Sequence, residues 1–226
     1  EQNLGEAVDH LVHVSVLRYP IAQHPPLGEV TKVLGSDAEA AADTDIVSCK
    51  HDLPLGWTAE AIEALQGLPK VIEPGELKKR QDYRKLQLVT FGDRHRGQTL
   101  PWQEVALSLE SQANQWQVGI HITDIAHYIA EDSLLDQLAR KRGTTVYLEE
   151  QVCPLFPEGL TGRCSLIPDE DRLALSFFLT VDDRGEVTGF EYHSSVVKID
   201  RQLDFSEVQT ALADIESVNS ELKPYS

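Results

Sequence analysis

The chain has 226 residues, 41 % of them apolar, and a formal net charge of −17 with a sequence pI near 4.8. That is enough apolar material for one large core or two small ones, and no apolar run approaches the roughly eighteen residues that span a bilayer. An acidic balance of this size argues against a polyanion partner unless basic residues are focused in a channel, because Lys and Arg contacts to phosphate dominate such binding.

Three cysteines, Cys49, Cys153 and Cys164, lack metal-type spacing and suit a reducing compartment. The acidic N-terminal stretch has no apolar core of a secretory signal. The expectation is an intracellular fragment of a longer polypeptide, cytoplasmic or nuclear, with no membrane partner.

In chain order, Leu11 to Leu17 alternates and stops at Pro20, and Gly28 to Gly35 reads as a second short strand. Residues 36–45 form a small acidic loop. Thr58 is a plausible N-cap for a helix with Ala61, Ile62 and Leu65 on one face. Glu76 to Arg84 mixes charges as a solvated linker does, and leads into Leu86 to Thr90.

Further on, Val118, Ile120 and Ile122 alternate with Gly119, His121 and Thr123, the pattern of a half-buried strand. Leu134, Leu135 and Leu138 recur at helical spacing, with Arg140, Lys141 and Arg142 in the last turn and Gly143 as C-cap. Thr144 to Leu148 is β-branched and aromatic, hence a strand. Asp171-Arg172 reads as a turn-fixing ion pair, and Asp182 to Gly185 as a hairpin turn. Arg201 to Ala213 reads as a helix with Phe205, Val208 and Leu212 on one side. His121 and His127 lack zinc-site spacing, and Ser165 and Ser176 lack the context of a nucleophile elbow.

Four blocks within Gly119 to Ser176 carry a resemblance. His121-Ile122-Thr123-Asp124-Ile125-Ala126-His127-Tyr128-Ile129 is similar to HIADVSHYV, Leu135 to Leu148 to LDxxARxRGTSVYLP, Pro154 to Thr161 to PMLPExLS, and Cys164 to Ser176 to CSLxPxxDRLAxS. In this order they resemble the catalytic (RNB) domain of the RNase II/RNase R exoribonucleases. The resemblance implies an α+β fold: a partial RNB catalytic domain, preceded by the last strands of an OB-type cold-shock β-barrel. The implied division is 1–50 for the end of the barrel, 51–90 for a linker and helix, and 91–226 for the N-terminal part of the RNB domain, and Asp45 to Leu53 resembles the family's short strand before an LP tract. The Arg201-Gln202-Leu203 wording further resembles the divergent RNB domain of large vertebrate zinc-finger helicases.

The family's activity, 3′→5′ hydrolysis of single-stranded RNA to nucleoside monophosphates, uses Mg²⁺ held by aspartates in a motif IDxxxxxDFDDA. Mg²⁺ wants oxygen ligands in near-octahedral geometry, and two-metal hydrolysis needs carboxylate charge to fix the ions. Here Trp102 falls on the motif's Phe, Gln103 and Glu104 on the aspartates after it, and Pro101 on the one before, with Asp93 as the candidate for the first. Asp93 and Glu104 are the candidate catalytic carboxylates, and Asp93, Gln103 and Glu104 the candidate Mg²⁺ ligands. This is either a rebuilt metal site or a degenerate surface loop. Arg94, His95 and Arg96 would oppose a cation but could contact phosphate.

Tyr147 stands where the family has a base-stacking tyrosine, and it also reads as a core residue of a strand. Arg142 could track phosphate or complement the helix dipole. Two functions follow: an exoribonuclease of the RNase II/R type with a degenerate metal site, or an inactive RNB module binding RNA or protein in a larger chain. The implied partners are single-stranded RNA and further domains of the same polypeptide, among them the rest of the RNB domain and an S1 barrel.

Overall fold

The computed structural model describes residues 7–21, 23–36, 43–92, 94–95, 98–99, 102–148 and 152–213. They divide into two compact units, Glu1–Ala59 with Ala139–Leu155, and Glu60–Leu138 with Phe156–Ser226.

In the first unit, β1 (Leu11–Arg18) and β2 (Leu27–Gly35) pair antiparallel with register shifts, as their alternation and Pro20 predict. The strand expected over Asp45 to Leu53 is instead a helix, α1 (Asp43–Lys50). Asp43 and Asp45 in its first turn and Lys50 in its last complement the helix dipole. Asp45 also accepts from Lys32 Nζ at 2.7 Å, tying the helix to β2.

α2 (Ala59–Gln66) begins directly after Thr58, as predicted. It buries Ala61 and Leu65, whereas Ile62, expected on the same side, is 41 % exposed. Arg163 closes its C-terminal end by donating to the carbonyls of Leu65 and Leu68 at 3.0 and 3.1 Å. A single turn, α3 (Pro74–Leu77), starts on proline, where a missing N–H costs nothing.

Much of the linker that follows is a solvated face, with Lys78, Lys79, Gln81, Asp82 and Arg84 exposed, but part of it is drawn into the fold. β3 (Gln81–Asp82) pairs parallel with a later strand, and the Arg80 side chain is only 7 % exposed. Arg80 bridges Glu76 at 2.8 Å and Asp124 at 2.7 Å, and it holds the Glu76 carboxyl below its ordinary range.

Next come β4 (Val89–Gly92), the short pair β5 (Arg94–His95) and β6 (Gln98–Thr99), then β7 (Val105–Gln112) and β8 (Gln115–Thr123). A 3-10 turn, Ile125–His127, leads to α4 (Leu134–Arg142), and β9 (Val146–Tyr147) pairs with β10 (Val152–Cys153). After α5 (Glu158–Cys164), the hairpin β11 (Asp171–Asp182) and β12 (Val187–Lys198) turns at Gly185, whose φ of 82° suits glycine. β13 (Arg201–Asp204) and α6 (Phe205–Ala213) close the described chain.

The helix expected from Arg201 therefore starts four residues later. Arg201–Asp204 is drawn into the sheet beside Val89–Gly92, burying Leu203. Asp204 then acts as the N-cap: Ser206 N donates to its Oδ1 at 2.9 Å, and Glu207 Oε2 accepts from Asp204 N at 3.1 Å, a capping box. The Asp171-Arg172 pair is also corrected. Asp171 pairs with Arg84 at 2.8 Å, and Arg172 with Glu170 at 2.7 Å and the Ser165 carbonyl at 2.8 Å.

Seven strands form one sheet in the order β13-β4-β7-β8-β11-β12-β3, antiparallel through the middle and parallel at the two outer pairings. Its buried face packs Ala106, Ala174 and Val197 against Leu88, Leu166 and Ile199, with Tyr83 and Leu86 alongside. On β8 this buried face belongs to Gly119, His121 and Thr123, while Val118, Ile120 and Ile122 point to the more open side. The alternation is as predicted, but the polar letters are the buried ones.

A hydrogen-bonded ladder makes that burial possible. His121 is fully buried, with Nε2 3.0 Å from Ser108 Oγ and Nδ1 2.6 Å from Ser176 Oγ. Ser176 Oγ lies 2.6 Å from Ser195 Oγ, which donates to the Ala174 carbonyl at 3.0 Å. That carbonyl can only accept, so the direction of the chain is fixed back to its start: Ser176 donates to Ser195, His121 Nδ1–H to Ser176, and Ser108 to His121 Nε2. Gly119 is required beside it, since a Cβ there would collide with Ser108 Oγ and come within 2.8 Å of His121 Nε2. Among the described residues no helix is long and apolar enough to cross a membrane.

Candidate functional site

β4 delivers the chain into the loop where the resemblance places a metal centre, and the end of that loop, Trp102 to Glu104, is held by backbone bonds. Gln103 N donates to Ser165 Oγ at 2.8 Å, its carbonyl accepts from Leu166 N at 2.9 Å, and the Glu104 carbonyl accepts from Thr123 N at 2.9 Å. Trp102 stacks on Phe156 with centroids 5.7 Å apart and 17° between planes. This segment is therefore fixed against the end of β8 and the strand-like stretch after α5.

Its side chains differ from a carboxylate cage. Gln103 is 6 % exposed and aims its amide at Gly92, where a Cβ would come within 2.9 Å of Gln103 Nε2 and collide with the amide of Gln202. Two neutral amides and a glycine thus meet at the end of β4. Glu104 stays accessible, although surrounding protein removes enough water to raise its pKa above the ordinary range. Asp93, Arg96 and Pro101 lie outside the described residues. Arg94 lies in β5.

Mg²⁺ needs several hard oxygen ligands with carboxylate charge. At the end of β4 the amides of Gln103 and Gln202 meet at Gly92, and Asp204, in register with Gly92 on β13, has its carboxylate engaged by Ser206. Among the described residues no three His, Cys, Asp or Glu side chains group as a metal site. Gln103, where the resemblance places an aspartate, brings no charge to a Mg²⁺ centre.

The other two candidates belong to the first unit. Tyr147 is 66 % exposed on the two-residue strand β9, so its ring face is open to a stacking partner and is not core. Arg142 is placed otherwise than a phosphate contact requires. Its guanidinium lies 3.6 Å over the Trp57 ring and donates to the carbonyls of Pro54 at 2.7 Å, Pro154 at 3.2 Å and Gly56. Those contacts lock the chain around α4, and burial lowers the guanidinium pKa.

Spacing gave no warning of the Glu76–Arg80–Asp124 cluster. Only the adjacency of the linker and the 3-10 turn in the fold brings it together.

The RNB domain family matches residues 80–224, and the Cold shock domain family matches residues 1–58. The chain belongs to the RNB-domain family. A Synechocystis protein named as conferring acetazolamide resistance is 93 % identical over all 226 residues, which make up 29 % of its length. Ribonuclease R of Thermotoga maritima is 33 % identical over 98 % of this chain and 31 % of its own. The chain thus spans under a third of these relatives.

RNase R of Mycoplasma genitalium, solved with double-stranded RNA, superposes with a TM-score of 0.80 at 19 % identity, over 93 % of this chain and 37 % of that one. Yeast Ssd1, described as a pseudonuclease, superposes with a TM-score of 0.71 at 21 % identity, over 98 % and 28 %. These likenesses show the RNB fold, partial here, with a cold-shock segment before it. Both of these sequence relatives are bacterial, and the helicase likeness rests on the Arg201-Gln202-Leu203 wording alone.

Proposed function

We propose that this chain is the RNA-binding part of an RNB-family protein that engages single-stranded RNA without hydrolysing it through the family's Mg²⁺ chemistry. The observation that carries this reading is the neutral amide pair, Gln103 and Gln202, meeting at Gly92, with Gln103 standing where the resemblance places an aspartate. Amides can hold the loop in place, but they bring no charge to a metal that would activate water and stabilise a leaving oxygen. The exposed ring of Tyr147 supports the binding half of the proposal, since base stacking on an aromatic tolerates any sequence. Arg94 and Arg96 are the cations assigned to phosphate. Arg142 is not among them.

The test uses the full-length polypeptide, a 5′-labelled single-stranded RNA and Mg²⁺, beside an Asp93→Asn/Glu104→Gln double variant. The expected result is binding without shortening in both proteins. Tyr147→Ala should weaken binding by about 1–3 kcal/mol, and Arg94→Ala/Arg96→Ala should flatten its salt dependence. Progressive shortening from the 3′ end, lost in the double variant, would establish instead an exoribonuclease with a rebuilt two-carboxylate site. The 33 % identity to a Ribonuclease R favours that second reading.

A further inference from the structure

The inverted polarity of β8 extends across four strands. In register, Leu107, Ile120, Phe177 and Tyr192 form one rung over β7, β8, β11 and β12, and Leu109, Val118, Leu179 and Phe190 form the next. All eight are apolar or aromatic, and all point away from the buried face that holds His121. Phe177, Phe190 and Tyr192 stack on one another with centroids 6.0 to 6.1 Å apart. Yet Phe190 is 61 % exposed, Tyr192 62 % and Trp116, one rung further along, 46 %.

A contiguous apolar surface of this kind marks a docking site, since single scattered hydrophobics need no explanation but packed rungs of them do. Its chemistry narrows the occupant. Neither rung carries a cation, so nothing on it would neutralise phosphate, and it lacks the basic border of a membrane-surface element. Stacked aromatics alone, in an acidic chain, are a poor seat for RNA. An apolar face suits an apolar layer, and a sheet face is ordinarily covered by helices or a second sheet at about 10 Å. The relative that is 93 % identical over the whole chain has more than two thirds of its length outside the matched part.

We infer that this face is an intramolecular docking surface, covered in the full-length polypeptide by apolar side chains of a segment outside these 226 residues. The inference does not depend on RNA binding, and it accounts for the polarity of β8. Gly119, His121 and Thr123 face a core completed by this chain's own residues, whereas Val118, Ile120 and Ile122 await a layer supplied from elsewhere in the polypeptide.

Hydroxyl-radical footprinting of the RNA-free full-length protein, at a concentration where it is monomeric, tests this directly. Covering Tyr192 and Phe190 from their present exposure should lower their labelling at least about fivefold relative to the urea-unfolded protein. Phe190→Glu/Tyr192→Glu should then lower the melting temperature of the full-length protein by several degrees, as burying a charge in an apolar contact requires. Labelling within about twofold of the unfolded rate would overturn the inference. Protection that appears only on self-association would assign the face to a second copy and overturn it equally. Protection that appears only on adding RNA would do the same.

Discussion

The ladder through His121 and the segment Trp102–Glu104 both carry polar side chains into the interior of the same unit, but they satisfy them differently. Along the ladder every donor finds an acceptor, from Ser108 through His121, Ser176 and Ser195 to the Ala174 carbonyl. Near the loop, Thr90 Oγ1 and Trp102 Nε1 are buried with no hydrogen-bond partner among the described residues. The first region has the character of a core element refined for stability. The second keeps polar groups in place without completing a network among the described residues.

The largest expected effect tests the ladder by pH. Burial holds the His121 pKa down at about 4, against an ordinary value of 6.5. Between those values the unfolded chain binds a proton that the folded chain refuses, so stability rises with pH across this window. The contribution is complete above about pH 6.5 and is lost as pH falls towards 4, by on the order of 3 kcal/mol. Denaturant midpoints measured from pH 7 to 4.5 should show this slope. His121→Phe should remove it, whatever that variant's stability at neutral pH. The paired carboxylates Asp82 and Glu76 titrate below their ordinary values and lose their contribution only at and below the lower edge of this window, whereas Glu104, raised by burial, adds a slope of opposite sign that His121→Phe leaves in place.

A smaller pair of effects with opposite signs sets the two regions side by side. Ser176→Ala leaves His121 Nδ1–H and Ser195 Oγ without their partner in a dry site and should cost about 1–3 kcal/mol. Thr90→Val removes a fully buried hydroxyl that has no partner among the described residues, keeps its shape, and should be neutral or stabilising by up to about 1 kcal/mol. If both substitutions destabilise equally, Thr90 has a partner in the intact protein and the contrast between the regions fails. Thermal melts of the two variants decide it.

The likeness was legible in the sequence where short motifs set local geometry. The alternation over Leu11–Arg18, the helix after Thr58 and the Asp182–Gly185 turn all follow from residue type and spacing. What was not legible depended on partners far along the chain. Nothing in Arg201-Gln202-Leu203-Asp204 says strand until Val89–Gly92 lies beside it. Arg142 reads as a free cation until the carbonyls around Trp57 are in place. On β8 the period was visible but its sign was not. Which half of an alternation is buried depends on whether a histidine can be satisfied inside, and Ser108 and Ser176 answer that from strands on either side. The candidate carboxylates were readable as letters, yet the amide meeting at Gly92 required Gln202, which arrives from β13.

The smallest expected effect concerns the loop itself. A ligand at ten times its dissociation constant stabilises the folded state by about 1.4 kcal/mol, enough to move a melting temperature by degrees. With neutral amides meeting at Gly92, added Mg²⁺ should shift the midpoint no more than an ionic-strength-matched monovalent salt does. The matching matters because a chain of net charge −17 gains stability from any screening of its own repulsion. A Mg²⁺-specific rise that disappears in Asp93→Asn/Glu104→Gln would mean that two carboxylates do capture the ion, and the loop would then have to be counted with the ladder as a completed polar site. A midpoint indifferent to the choice of cation, in the parent and the variant alike, leaves the amides as the groups that close the end of β4 in place of a metal.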